Sequence, residues 1–339
     1  MTGLARYCRF VLAYNLAVIL WGAYVRASGS GAGCGGHWPT CNGELVPLAP
    51  GAATLVEYTH RVSSGLVLAL VAGLAVWAFR AAPRGHPLRR GAVLSVAFTV
   101  SEAALGAALV LFKLVARDES LARALAISAH LLNTLLLLAS LTLAAYAAGA
   151  FRPLAAPPAA TPGPPGGAPA PALGPRLSRR EQRRPWLGWA FTLGLAATMA
   201  IAATGAVAAL GDTLFPAASL GQGLARDLSP ASHLLLRLRV VHPLLAIALG
   251  AYLLYLCQQA AFAGAEARRQ ANRLRLLVLG QWMLGLLNVA LLAPVWLQLA
   301  HLLVADLVWI VLVLLALETL AGAPAPATLA PLLPAPARG

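Results

Sequence analysis

Charge is what this sequence has least of. Of its 339 residues 11% are Asp, Glu, Lys or Arg, whereas 60% are apolar, and the mean hydropathy is +0.76. Soluble domains carry about a quarter charged residues and rarely exceed half apolar, so a soluble globular chain is excluded. Acidic residues are scarcer still, 11 against 25 basic ones, for a formal charge of +14. Nucleic-acid binding does not follow from that excess, because the arginines sit in short loops between apolar runs, where the positive-inside rule accounts for them. Cysteine is also rare. Cys8 and Cys257 are isolated in or near apolar runs and read as small apolar residues, which leaves Cys34 and Cys41 as the one close pair.

What is present in abundance is apolar sequence in runs near the ~20 residues that cross a bilayer. The expected fold is an all-α polytopic membrane protein with eight spans. The first four run over about Cys8 to Ala27, Leu55 to Phe79, Gly91 to Val115 and Leu121 to Ala148. The other four run over about Trp186 to Leu210, Leu234 to Phe262, Leu274 to Ala293 and Val295 to Leu320, the last two joined by a short turn at Pro294. The first span has signal-peptide features, but its apolar core is long for a signal and it has a repeat partner, so a retained helix is expected.

Arginine placement predicts that both termini face the cytoplasm and that loops after odd-numbered spans face outward. Residues 151–185 are rich in Pro, Ala and Gly and end in an arginine run, which predicts an extended cytoplasmic linker. Residues 322–339 form a similar tail. The chain thus divides into a four-helix half over 1–150 and another over 186–321.

The halves resemble each other. Gly22-Ala-Tyr-Val-Arg26 parallels Gly205-Ala-Val-Ala-Ala209, and Ser101-Glu-Ala-Ala-Leu-Gly106 parallels Gly280-Gln-Trp-Met-Leu-Gly285. Glu57-Tyr-Thr-His60 parallels Arg239-Val-Val-His242. Their shared order points to a tandem duplication.

Of seven histidines, His86 reads as a loop residue and His233 as a rim residue. His60, His130, His242 and His301 fall one on each even-numbered span. Each lies six to ten residues past the outward start of its helix, which at ~1.5 Å per residue sets all four about 8–15 Å below the outer surface. Two histidines per half at matched depth suit an iron porphyrin held between helices. Zinc fits less well, since no carboxylate or cysteine joins the set at ligand spacing. Glu57 shares a helical face with His60, and a charged cluster at bilayer depth defaults to a functional reading. An ordinary i to i+4 pair with Arg61 is the bland alternative. Arg61, Arg237 and Arg239 lie at or just above this level, where they either meet anionic propionates or snorkel to the interface. Two cysteines in a short outward loop, Cys34 and Cys41, read as a disulfide. Metal binding by Cys34, His37 and Cys41 lacks an evident fourth ligand.

These residues resemble the heme A synthase family, membrane enzymes that oxidise heme O to heme A for terminal oxidases. The resemblance covers essentially all eight spans and rests on the Cys34…Trp38-Pro39…Cys41 loop, Glu57-Tyr-Thr-His60-Arg61 and the later histidines. It implies two pseudo-symmetric four-helix bundles. His60 and His130 would flank the substrate heme O, His242 and His301 would ligate a heme b cofactor, and Glu57 would be the catalytic carboxylate. It also implies oxidation of the C8 methyl to a formyl with oxygen from water, an electron acceptor, and a heme O synthase as supplier. Further implications are cell-membrane residence among lipid, compatibility with a homo-oligomer, and no nucleic-acid partner. The chain departs from some family members in lacking cysteines in the loop from Gly211 to Pro216, and Glu102 stands where its repeat partner has Gln281. A diheme b-type electron-transfer cytochrome or a heme-delivery assembly factor is the alternative. Heme O synthase itself is set aside, because no paired Asp-rich motif for diphosphate and magnesium is seen.

Overall fold

The computed structural model describes residues 2–151 and 186–320, so the linker and tail expectations lie outside the described residues. Among the described residues the chain is helical, with an isolated bridge between Cys41 and Glu44. The first four helices are α1 (Gly3–Ala27), α2 (Ala52–Ala81), α3 (Pro87–Leu111) and α4 (Leu121–Ala147). Then come α5 (Trp186–Leu214), α6 (Leu220–Leu228), α7 (Leu234–Arg239), α8 (Val241–Ala260), α9 (Ala265–Ala290) and α10 (Val295–Leu320).

Side-chain caps begin several of them, because the first four N–H groups of a helix have no partner within it. Thr2 accepts from the Ala5 N–H at 3.2 Å and Ser120 from the Arg123 N–H at 3.1 Å. His86 caps α3 by accepting from the Leu88 N–H at 3.2 Å, with Pro87 at the first helical position, where proline loses nothing by lacking an N–H.

Among the described residues seven helices are long and apolar enough to cross a membrane: α1 to α5, the unit Leu234–Ala263 that contains α7 and α8, and α10. α9 is not among them. Its first turns carry Arg268, Arg269, Arg273 and Arg275, and Gln281 and Asn288 interrupt the apolar remainder.

The packing forms two rings. α1 packs on α2 and α4, α2 on α3, and α3 on α4; likewise α5 packs on α8 and α10, α8 on α9, and α9 on α10. α2 and α4 therefore sit diagonally across one ring, and α8 and α10 across the other. Gly91 lets α3 approach α4 closely, since a Cβ there would lie 2.8 Å from the Ala144 nitrogen. The rings meet through α1 and α4 on one side and α5 and α10 on the other. Arg26 of α1 fastens them by donating to Ala209 O at 2.9 Å, Thr213 Oγ1 at 3.0 Å and Gln298 Oε1 at 3.2 Å. Trp309 Nε1 of α10 donates to Leu135 O of α4 at 2.7 Å.

The sixth expected span is not one continuous helix. Val240 ends α7 and starts α8. Pro243 is the cause: it has no N–H to offer the carbonyl four residues back and its ring crowds that carbonyl, which belongs to Arg239. The segment before it, expected as plain loop, also holds α6, capped by Ser219 accepting from the Gln222 N–H at 3.2 Å.

Candidate functional site

The outward loop after α1 is fastened to α2. Cys34 and Cys41 are joined as a disulfide, so neither thiol is free to bind metal with His37. Glu57 is buried at 4% exposure on α2. Its Oε2 accepts the Cys34 backbone N–H at 2.9 Å, and its Oε1 accepts Arg61 Nη2 at 2.5 Å. Arg61 Nη1 donates onward to the carbonyls of His37 and Thr40, both at 2.7 Å. The ring and the acid thus hold each other. Gly33 permits the contact: a Cβ there would sit 2.4 Å from the Ala53 backbone, and its carbonyl accepts Thr54 Oγ1 at 2.8 Å.

The four singled-out histidines are each half-buried inside helices that are otherwise greasy. Each faces a glycine on the preceding long helix. A Cβ on Gly22 would lie 2.8 Å from His60 Cε1, and one on Gly205 would lie 2.9 Å from His242 Cε1. Gly106 faces His130 Nε2 at 3.9 Å and Gly285 faces His301 Cε1 at 3.5 Å by the same measure. The glycines that mark the sequence repeats are therefore the floor under each imidazole.

His242 and His301 lie across the diagonal of their ring, with ring centroids 6.5 Å apart and planes at 79°. Two metal–imidazole bonds of about 2 Å each, plus a little over 1 Å from nitrogen to ring centre on either side, span roughly 6 to 6.5 Å. His60 sits within electrostatic reach of His130 and Glu102 on the other diagonal. Nδ1 of His60 and of His301 are buried without a hydrogen-bond partner among the described residues. Buried polar atoms are normally satisfied, so these rings suit a ligand more than a packed core. No group of three or more His, Cys, Asp or Glu side chains able to hold a metal ion is found among the described residues; a heme iron requires only two.

Glu102 was legible in the sequence merely as a departure from its repeat partner. On α3 it contacts α4 three times: Thr134 Oγ1 donates to it at 2.5 Å, Asn133 Nδ2 donates to its other oxygen, and His130 Nδ1 lies 3.0 Å away. Gln281, its counterpart on α9, brings its amide nitrogen to 3.1 Å from His301 Nε2. Thr204 Oγ1 lies 3.1 Å from His242 Nδ1.

The arginines differ in what they have left to offer. Arg239 gives Nη1 to Asp212 at 2.6 Å and its Nε and Nη2 to Asp227 on α6, at 3.1 and 2.5 Å. With the helix broken at Val240, Arg239 and His242 do not share a helix as Glu57 and His60 do. Arg237 is exposed. His233 caps α7, accepting from the Leu235 N–H at 3.3 Å, and Cys8 and Cys257 are free and buried.

A multi-pass all-α membrane protein with paired histidines facing across its helix rings is the class this arrangement defines. Within that class, the chain belongs to the family described as COX15-CtaA, cytochrome oxidase assembly protein, whose pattern matches residues 5–313. It is similar to a protoheme IX farnesyltransferase of Thermus thermophilus, 45% identical over 319 residues, covering 94% of this chain and 48% of the relative. The chain thus spans about half the length of that relative. It is also similar to a heme A synthase of Halalkalibacterium halodurans, 42% identical over 95 residues, with 28% of this chain and 32% of the relative covered. A heme A synthase of Alkalihalophilus pseudofirmus is 40% identical over 97 residues, covering 29% and 33%.

Proposed function

We propose that this chain oxidises the C8 methyl of heme O to the formyl of heme A, with water as the oxygen source, in the cell membrane. The observation that carries the reading is the pair of imidazoles on α8 and α10, His242 and His301, whose rings lie 6.5 Å apart and would hold a heme iron between them. Names of relatives support it: heme A synthases match about a third of their length to this chain. The Thermus relative is named for farnesyl transfer, and the half of it that this chain does not match is free to carry that activity. A heme O source close to this site is the partner that follows.

His242 and His301 hold heme b in this reading, and His60 and His130 flank the substrate. The chain runs as two pseudo-symmetric four-helix bundles of eight spans, both termini cytoplasmic and the Cys34–Cys41 loop outside. α9 serves as the eighth span; its exposed stripe of Leu276, Leu279, Met283 and Leu286 recurs at helical spacing, as a lipid-facing surface does. Bound heme supplies one-electron redox chemistry between imidazole ligands.

The rest is the chain's own work. Glu57, already accepting two donors, keeps about two of its four acceptor positions for a water and its proton. Arg61 aims that carboxylate and ties it to the loop after α1. Among the arginines proposed for propionates, Arg61 and Arg239 already serve carboxylates, so Arg237 has the most to offer. Electrons leave to an acceptor by way of the second half.

Replacing Glu57 with Gln tests the assignment. Membranes carrying the variant and supplied with heme O should keep their bound heme and form no formyl product in extracted heme chromatograms. Heme A at wild-type levels would overturn the role given to Glu57.

A further inference from the structure

The two histidine pairs are built on one plan, and at one matched position beside them the first half has an acid and the second an amide. Glu102 on α3 and Gln281 on α9 occupy the same position in the repeat, and each reaches the histidine of the next long helix. In one half a carboxylate oxygen lies 3.0 Å from His130 Nδ1, a contact that stops short of a hydrogen bond. In the other half an uncharged amide lies against His301 at Nε2. Sterically the residues are near twins; electrically they differ by a full charge.

We propose that Glu102 is a positioning residue that makes the two heme sites unequal in potential, the His60–His130 site lower than the His242–His301 site. The inference rests on the heme-binding reading above. A carboxylate behind an axial imidazole makes the ring a stronger electron donor, and a stronger donor stabilises the oxidised iron, which lowers its potential. An amide has no charge to lend. Electrons withdrawn in the first half then run downhill to the second, the direction that oxidation of a substrate in the first half requires.

The carboxylate is well fixed for this task. Asn133 and Thr134, three and four residues past His130 on α4, both donate to it, so it stays level with the ring. The 3.0 Å contact to Nδ1 is oblique, outside hydrogen-bond alignment, and a turn of the imidazole aligns it. Among the described residues no such network stands beside His301, since Val304 and Ala305 occupy the positions matching Asn133 and Thr134.

The test is a redox titration of the full chain in detergent, loaded with heme b, followed by optical and electron-paramagnetic-resonance spectra. Wild type should titrate in two steps, and His130→Ala should remove the lower one. Glu102→Gln should retain both hemes and move the lower step upward toward the other. Gln281→Glu should move the upper step downward. Loss of the upper step in His130→Ala, or a Glu102→Gln protein that holds heme with an unmoved lower step, overturns the proposal. If Glu102→Gln loses heme because Asn133 and Thr134 lose their anchor, Gln281→Glu decides, and an unmoved upper step there overturns it. A purely structural tie predicts a lower melting temperature with both potentials unchanged. Wild-type protein that takes up no heme refutes the functional reading itself.

Discussion

A methyl group added to Gly205 should empty one of the two proposed heme sites and leave the fold standing. The alanine Cβ would lie 2.9 Å from His242 Cε1 and 3.3 Å from its Nδ1. Carbon atoms rest near 3.5 Å or more, so the ring must retreat by roughly half an ångström. For the fold this is a modest change. Alanine in place of glycine favours a helix interior by about 1 kcal/mol, and overpacking costs about 1–3 kcal/mol, so the net loss is at most about 2 kcal/mol. For iron it is a large change, because metal–ligand distances tolerate only ~0.2 Å. Retreat also loosens the contact between Thr204 and His242. The assay is heme per polypeptide by pyridine hemochrome, alongside a thermal melt. Gly205→Ala should bind one heme fewer and keep a cooperative melt. Gly22→Ala, whose Cβ would lie 2.8 Å from His60 Cε1, should lose the other heme. Gly65→Ala, which meets open space on α2, should keep both. Full heme occupancy in Gly205→Ala with an unchanged low-spin spectrum would refute the reasoning.

Two further outcomes follow from the ion pairs. Arg61→Ala removes the donor to His37 O and Thr40 O and leaves Glu57 buried without its cation, which should cost about 3–5 kcal/mol and speed alkylation of Cys34 and Cys41 under mild reductant. Arg239→Leu leaves Asp212 and Asp227 facing each other, so the melt should fall. Adding Asp227→Asn to that variant should recover part of the loss, and no recovery would mean that the pair repulsion does not matter.

The helices were legible because they depend on local pattern: apolar length sets a span. The repeats were legible as well, but not their purpose. That Gly22 and Gly205 lie under imidazoles depends on which helices touch, and no spacing along one helix reveals that. The break at Val240 had a visible signal in Pro243, three residues after Val240, whose missing N–H acts one turn upstream on Arg239. The apolar run from Leu234 masked it. Arg239 was misleading for the same reason: in sequence it parallels Glu57, three residues before a histidine. Once the helix breaks, it turns to Asp212 and Asp227, acids supplied by α5 and by α6, a helix too short and polar to stand out from loop. Glu57 kept its expected neighbour Arg61, while its second partner, the Cys34 backbone, came from a loop whose path no periodicity describes.

Arg26 has a consequence for how such a molecule is put together. It donates to the carbonyl of Ala209, the residue that occupies its own position in the other repeat. Two identical chains meeting about a twofold axis present the same groups to each other, so an ancestral dimer of this kind would set arginine against arginine at that spot. Once both copies lie in one polypeptide, each can change alone. An alanine on one side turns a point of repulsion into a three-pronged latch, and partnership between equals becomes division of labour.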